Sequence, residues 1–260
     1  KYDGTPLKKN AQSDVAVTGD GFIDGEGATY DITGSQTEVG KSENTFTYKL
    51  NEGTLAENYQ IGKPVPGTLT VTANEDEVVV SIQGKHGAKE YNGQPQSVEG
   101  YEVVSISNDK YTSSDFELTT AGEAKAERTN EGTTYMGLKS NDFVNKSSNF
   151  TNVKFQVTDG YITITPKSVV PGKDMTVDAP RDVTYNGQSQ REKPVVKDGE
   201  KTLTEGIDCM LSYSSDTTNA GTVTVTVTGK GNYSGSVDVT YQITPAPLTV
   251  NANSDSKVYD

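Results

Sequence analysis

The feature that most constrains this chain is a short aromatic turn that recurs along it. Tyr2-Asp3-Gly4, Tyr91-Asn92-Gly93 and Tyr185-Asn186-Gly187 share the pattern, and Tyr259-Asp260 begins it a fourth time. Asp-Gly and Asn-Gly accept positive φ at little cost, so each marks a tight turn. Recurrence at intervals of roughly 75 to 95 residues means a string of similar modules rather than one large core. A second mark closes each module. Gly67-Thr68-Leu69-Thr70-Val71-Thr72, Gly160-Tyr161-Ile162-Thr163-Ile164-Thr165-Pro166 and Tyr241-Gln242-Ile243-Thr244-Pro245 alternate Thr with aliphatic residues. That period of two describes a strand with one buried face and one wet face.

These marks divide the chain into repeat one at 1–74, repeat two at 75–167, repeat three at 168–245, and an opening strand of a fourth repeat at 246–260. Repeat one begins at its aromatic turn and so is expected to lack its first strand. The joints are short: Asn74-Glu75-Asp76-Glu77, the stretch 167–173 with Pro171, and Pro245-Ala246-Pro247. Proline there stiffens the connection. Thr222-Val223-Thr224-Val225-Thr226-Val227-Thr228 is the clearest interior strand, with Phe46-Thr47-Tyr48-Lys49-Leu50 and Val153-Lys154-Phe155-Gln156-Val157 beside it. Segment 139–144, flanked by Leu138, has room for one short turn of helix. The expected fold is all-β: three tandem small domains, sandwich or grasp-like, in an elongated rod. Both topologies remain open. Modules of this length bury only about 60–65% of their chain surface, so contacts at the joints should matter.

Composition narrows the function. With 36 acidic and 23 basic side chains the net charge is −13. Phosphate backbones require clustered Lys and Arg, so nucleic acid is not an expected partner. No run approaches the roughly 18 apolar residues of a membrane helix, so no membrane contact is expected from this segment. One cysteine, Cys209, excludes an internal disulfide, and one histidine, His86, excludes a poly-His metal site. No acid, base and nucleophile set converges in the pattern, so no catalytic residue is assigned and an enzyme is not expected.

The repeats resemble a known group. Tyr2-Asp3-Gly4-Thr5-Pro6-Leu7, Thr33-Gly34-Ser35-Gln36-Thr37, Gly40, Asn58-Tyr59 and Gly67-Thr68-Leu69-Thr70-Val71 are similar to the Tyr-Asp-Gly and MBG-type β-rich repeats of large bacterial surface proteins. Repeat three resembles a related module of Gram-positive gut bacteria. Its marks are Gly206-Ile207-Asp208, Tyr213, Asn219-Ala220-Gly221-Thr222 and Gly229-Lys230-Gly231-Asn232-Tyr233-Ser234-Gly235, with Cys209 where that pattern has tyrosine. The resemblance implies an exported, cell-wall- or surface-anchored stalk or adhesin, extracellular in location, and carries over no cofactor and no catalytic residue.

Candidate sites are few. Asp20, Asp24, Glu26 and Asp31, with Gly25 among them, partly match an oxygen-rich calcium loop, but Phe22 stands at a ligand position. A glycine-rich loop with solvated acids competes with that reading, so calcium is a minor option. The acids of the first joint are expected to be solvated and mutually repelling, with a bridging calcium the alternative. Lys49, Lys154 and Asn145 have the chemistry of an internal Lys-Asn isopeptide, but no spacing singles out a trio. Cys209 reads as a small buried hydrophobe and His86 as a hairpin tip. The Tyr-Xxx-Gly residues read as structural turns. Tyr101, Tyr111 and Tyr135 are the aromatics most suited to face a glycan.

Two functions follow. The first is a spacer that projects a binding tip, on the order of 100 Å or more long if strands of about ten residues rise about 3.3 Å per residue. The second makes the repeats themselves the binder of a host glycoprotein, mucin glycan or immunoglobulin. Adjacent repeats of the same protein are the other expected partners. The tail strand 247–253 is further expected to pair head to tail with repeat one of another molecule, because an unpaired edge attracts a strand.

Overall fold

The computed structural model describes residues 1–119 and 123–259. The architecture is all-β, as the alternation predicts. Repeat one holds β1 (Ala28–Ile32), β2 (Gly40–Asn44), β3 (Phe46–Leu50) and β4 (Gly67–Val71). Repeat two holds β5 (Val78–Gly84), β6 (His86–Glu90), β7 (Gln96–Glu99), β8 (Tyr101–Ile106), β9 (Phe116–Leu118), β10 (Lys125–Arg128), β11 (Gly132–Tyr135), β12 (Phe143–Asn145), β13 (Val153–Thr158) and β14 (Tyr161–Thr165). Repeat three holds β15 (Lys167–Ser168), β16 (Met175–Asp178), β17 (Val183–Thr184), β18 (Val195–Asp198), β19 (Lys201–Thr202), β20 (Cys209–Tyr213), β21 (Gly221–Gly229), β22 (Tyr233–Ser234) and β23 (Ser236–Thr244). The helical allowance near 139–144 is one 3-10 turn, Ser140–Asp142, leading into β12.

The chain forms two compact units, and both draw on repeat two. The first comprises 1–85, 99–124 and 136–160; the second comprises 86–98, 125–135 and 161–260. In the first, β5 is the middle strand of a three-stranded sheet, parallel to β13 and antiparallel to β8. β1 pairs with β3, β2 with β4, and β9 with β12, all antiparallel. Val78, Val80 and Ile82 of β5 point into a core with Tyr2, Tyr111, Phe116, Phe143 and Phe150. In the second, β14 lies between β11 and β6, and β23 lies between β17 and β21, with β20 beyond. Val223, Val225, Tyr241 and Ile243 form its core.

Each closing strand, β14 or β23, takes an antiparallel neighbour on one edge and a parallel one on the other. Parallel partners far apart in sequence leave no local trace in the pattern, whereas a hairpin does. His86 accordingly sits at no hairpin tip. The chain leaves β5 at Gly84 and enters β6 at His86, and those strands belong to different sheets. Gly84 is needed where it stands: a Cβ there would meet the backbone nitrogen of Gly160 at 2.3 Å.

Candidate functional site

The aromatic turns are built alike. Gly4, Gly93 and Gly187 have φ of 80°, 77° and 79°. The Asp or Asn before each glycine accepts a bond from the backbone two residues on: Thr5 N–H to Asp3, Gln94 N–H to Asn92 and Gln188 N–H to Asn186, at 2.8, 2.9 and 2.9 Å. Those bonds close an Asx-turn. At Asp3 the Thr5 hydroxyl, then the Thr5 N–H, hold the carboxyl below its ordinary pKa. Each tyrosine N–H is tied to the end of its own closing strand: Tyr2 to Thr72 O, Tyr91 to Thr165 O and Tyr185 to Thr244 O.

These tyrosines form one half of a joint, and the next repeat supplies the other. Within the first unit, the Tyr2 ring meets Phe150 edge-on at 5.4 Å and 80°. Asn149, just before Phe150, accepts a bond from Val39 N–H at 2.9 Å, and its amide donates to the Glu38 carboxylate. Asn74 N–H donates to Asn149 O at 2.7 Å, which starts a parallel bridge. Within the second unit the same set recurs. Tyr91 meets Tyr233 edge-on at 5.5 Å and 77°. Asn232 accepts from Glu131 N–H at 2.7 Å and donates to Asn130 Oδ1 at 3.0 Å. Lys167 N–H donates to Asn232 O at 2.9 Å, and β15 runs parallel to β22. One asparagine thus satisfies a loop N–H, a side-chain acceptor and a strand N–H, and fixes the angle at which the ring arrives.

The second joint adds charge. Lys167 Nζ lies 2.5 Å from Asp198, whose other oxygen accepts from the Tyr233 hydroxyl at 3.1 Å. Lys201 Nζ lies 5.0 Å from the Tyr233 ring centre and 3.0 Å from the Asp208 carboxylate. Burial, then the Asp198 charge, pushes the Tyr233 phenol far above its usual range. In the third copy of the turn Tyr185 is 40% exposed, against 8% for Tyr2 and Tyr91.

The other residues singled out above fall as follows. Tyr111 faces the core rather than a ligand: it is 2% exposed, lies edge-on to Phe150, and donates to Asn145 and Asp115 O. Its ring is too valuable as filling to reach solvent. Tyr101 is half-buried against Phe143 at 5.0 Å. Tyr135 is 63% exposed and belongs to a row that the sequence did not disclose. Tyr135, Tyr161 and His86 stand side by side across β11, β14 and β6. Tyr161 lies 5.6 Å from Tyr135 and stacks on His86 at 5.2 Å, on the face opposite buried Ile162 and Ile164.

Asp20, Asp24, Glu26 and Asp31 do not converge. Glu26 accepts from the Tyr59 hydroxyl, Asp31 lies on β1 opposite Thr47, and no group of three acids, His or Cys suited to a metal occurs among the described residues. The first joint's acids, Glu75, Asp76 and Glu77, are exposed, and two of them have lysine partners. Asp76 pairs with Lys1, and Glu77 pairs with Lys154 at 2.6 Å. Lys154 is thereby on the surface, while Asn145 binds Tyr111 and Phe150 O inside. Cys209 is buried, and burial raises its thiol pKa. Asp260 lies outside the described residues. The residues that sequence reasoning missed are Asn149 and Asn232; the shared Asn-aromatic-Ser/Thr triplet was the available signal.

No family model matches the chain, and no curated protein or solved structure matches it either.

Proposed function

We propose that this chain is a spacer segment of an exported bacterial surface adhesin, in which coupled β-repeats hold a binding tip away from the cell. One observation carries the reading: the Tyr-on-aromatic, asparagine-clamped joint is made twice from corresponding residues. A chain selected for a single binding surface has no need to rebuild one connection, whereas a spacer transmits load through each. Edge-on aromatic pairs are worth about 0.5–1.5 kcal/mol beyond their buried area, and each hydrogen bond of the half-buried amide adds about 0.5–1.5 kcal/mol. Small-angle scattering of the parent and an Asn149→Ala/Asn232→Ala variant tests it. The spacer reading expects a maximum dimension on the order of 100 Å, from strands rising about 3.3 Å per residue, and broadening of the distance distribution in the variant. A compact particle, or a freely flexing parent, overturns it.

The row of His86, Tyr161 and Tyr135 favours a second reading, in which repeat two binds a host glycan. Exposed Tyr135 and His86 flank half-buried Tyr161, and aromatic faces of this kind take sugar C–H groups. A glycan array compares the parent with Tyr135→Ala/Tyr161→Ala. Binding that the variant loses supports this reading, and no binding above background removes it.

A further inference from the structure

The three aromatic turns share one backbone and differ in the chemistry of their second position. That residue is Asp3 in the first turn and Asn92 and Asn186 in the others, and Asn-Gly occurs nowhere else in the chain. In both asparagine turns the side-chain oxygen accepts the N–H two residues on, at 2.9 Å. The amide nitrogen on the same carbon makes no hydrogen bond among the described residues, and neither does the N–H of Gly93 or Gly187. Asn92, Gly93, Asn186 and Gly187 are all exposed.

This arrangement lets the backbone react with its own side chain. The glycine nitrogen follows directly after the asparagine, so its encounter with the side-chain carbon is intramolecular. No Cβ crowds that nitrogen, and the space about each glycine is open: a Cβ on Gly187 would meet nothing within 4 Å, and one on Gly93 only the Tyr91 hydroxyl at 3.9 Å. The N–H of Gln94 or Gln188 already points at the oxygen that gains negative charge when the carbon becomes tetrahedral, and a donor placed there favours the step.

We propose that Asn92 and Asn186 are sites of spontaneous covalent ageing in the folded chain, passing through a cyclic imide to aspartate and isoaspartate, and that this loosens the second joint and spares the first. The glycine nitrogen bonds to the side-chain carbon and gives up its proton. The carbon–nitrogen bond of the amide breaks, and that nitrogen leaves with the proton as ammonia. One water then opens the five-membered ring. Opening at the side-chain carbonyl gives aspartate; opening at the main-chain carbonyl gives isoaspartate, whose backbone carries one extra carbon. No other reactant is consumed.

The first joint shows what an acid does in this turn. Asp3 accepts the Thr5 N–H at 2.8 Å with Gly4 at φ 80°, so aspartate at 92 keeps the geometry. Isoaspartate does not. Its longer backbone carries the accepting oxygen away from the Gln94 N–H, beside a tyrosine that is bonded to Thr165 O and packed on Tyr233. Asp3 has no ammonia to lose, and its carboxyl, held below its ordinary pKa, stays ionised and resists attack at its carbon. The inference goes beyond the spacer reading and does not depend on it.

Peptide mapping by mass spectrometry tests it, on the full chain held for weeks at physiological temperature and neutral pH. The expected result is a gain of one water less one ammonia at Asn92 and at Asn186, with isoaspartate at both and none at Asp3. The rate should lie within about tenfold of that in urea, a difference of about 1.4 kcal/mol in barrier. An Asn186→Asp chain, aged until Asn92 is consumed, then isolates the second joint. Amide exchange at Tyr91 and Gln94 should be about tenfold faster in it than in the fresh chain, and exchange at Tyr2 and Thr5 should not change. Fresh Asn92→Asp should exchange like the fresh parent, which separates the extra backbone carbon from the added charge. Folded-state conversion more than about tenfold slower than in urea overturns the proposal, because the fold would then protect the turns. Conversion spread over other asparagines, or an aged chain with unchanged exchange at Tyr91 and Gln94, overturns it too.

Discussion

At the first joint the ring beneath the tyrosine is Phe150, set among Tyr2, Tyr111 and the valines of β5. At the second it is Tyr233, whose hydroxyl reaches an Asp198–Lys167 pair. The asparagine clamp and the parallel bridge are common to both. What recurs is therefore a backbone arrangement plus one amide and one edge-on ring. The side chain under the ring is free to join an apolar core or to gather charges. A hydroxyl at position 150 would need a partner in an apolar cluster, and none is at hand; a phenylalanine at 233 would leave Asp198 one donor short.

The largest expected break between the joints comes from Phe150→Ala. Truncating a ring 1% exposed should cost about 3–5 kcal/mol, read as loss of the first unit's urea transition while the second unit's amides keep their exchange protection. Next comes Asp198→Asn, which leaves Lys167 only the more distant Asp174 carboxylate, at 4.0 Å. It should cost about 1.5–3 kcal/mol at the second joint, and amide exchange at Tyr2 and Asn149 should not change. Asn149→Ala and Asn232→Ala should each cost about 0.5–1.5 kcal/mol, nearly equal, because the clamp is shared; a large inequality would show that the two joints only look alike.

Alkaline pH separates the joints by smaller steps. Burial, then the Asp115 charge, pushes Tyr111 beside the first joint up to about 12. A phenol whose folded-state pKa is raised contributes stability in full below its ordinary 10 and loses it as pH climbs through the raised value. Unfolding followed between about pH 10 and 12 should show that loss, and Tyr111→Phe should flatten it. Tyr233 is raised further, so its ionisation should follow that of Tyr111 in an ultraviolet titration. The smallest effect belongs to Tyr185→Ala, within about 0.5 kcal/mol, because that ring is 40% exposed. Tyr2→Ala and Tyr91→Ala should each cost several times more.

Local chemistry was readable and long-range pairing was not. Phe46–Leu50 and the Thr-Val run of β21 emerged as strands because alternation records burial residue by residue. The Tyr-Xxx-Gly turns emerged because only glycine holds φ near 80° cheaply. The parallel placing of β5 on β13 spans most of repeat two and leaves no mark in either strand. Tyr111 stands among polar residues and is core, whereas Tyr135 precedes Met136 and Leu138 and is surface, so neighbouring sequence gives the wrong order for the two rings. The Asn149 and Asn232 clamps were hidden because a turn asparagine ordinarily serves its own turn.

The tyrosine, the strand end that holds its N–H and the asparagine that meets a loop N–H recur at both joints, while the ring beneath is matched to its own surroundings. A graft that moved one plug onto the other socket would therefore keep its backbone bonds and lose its fit at one atom, the Tyr233 hydroxyl.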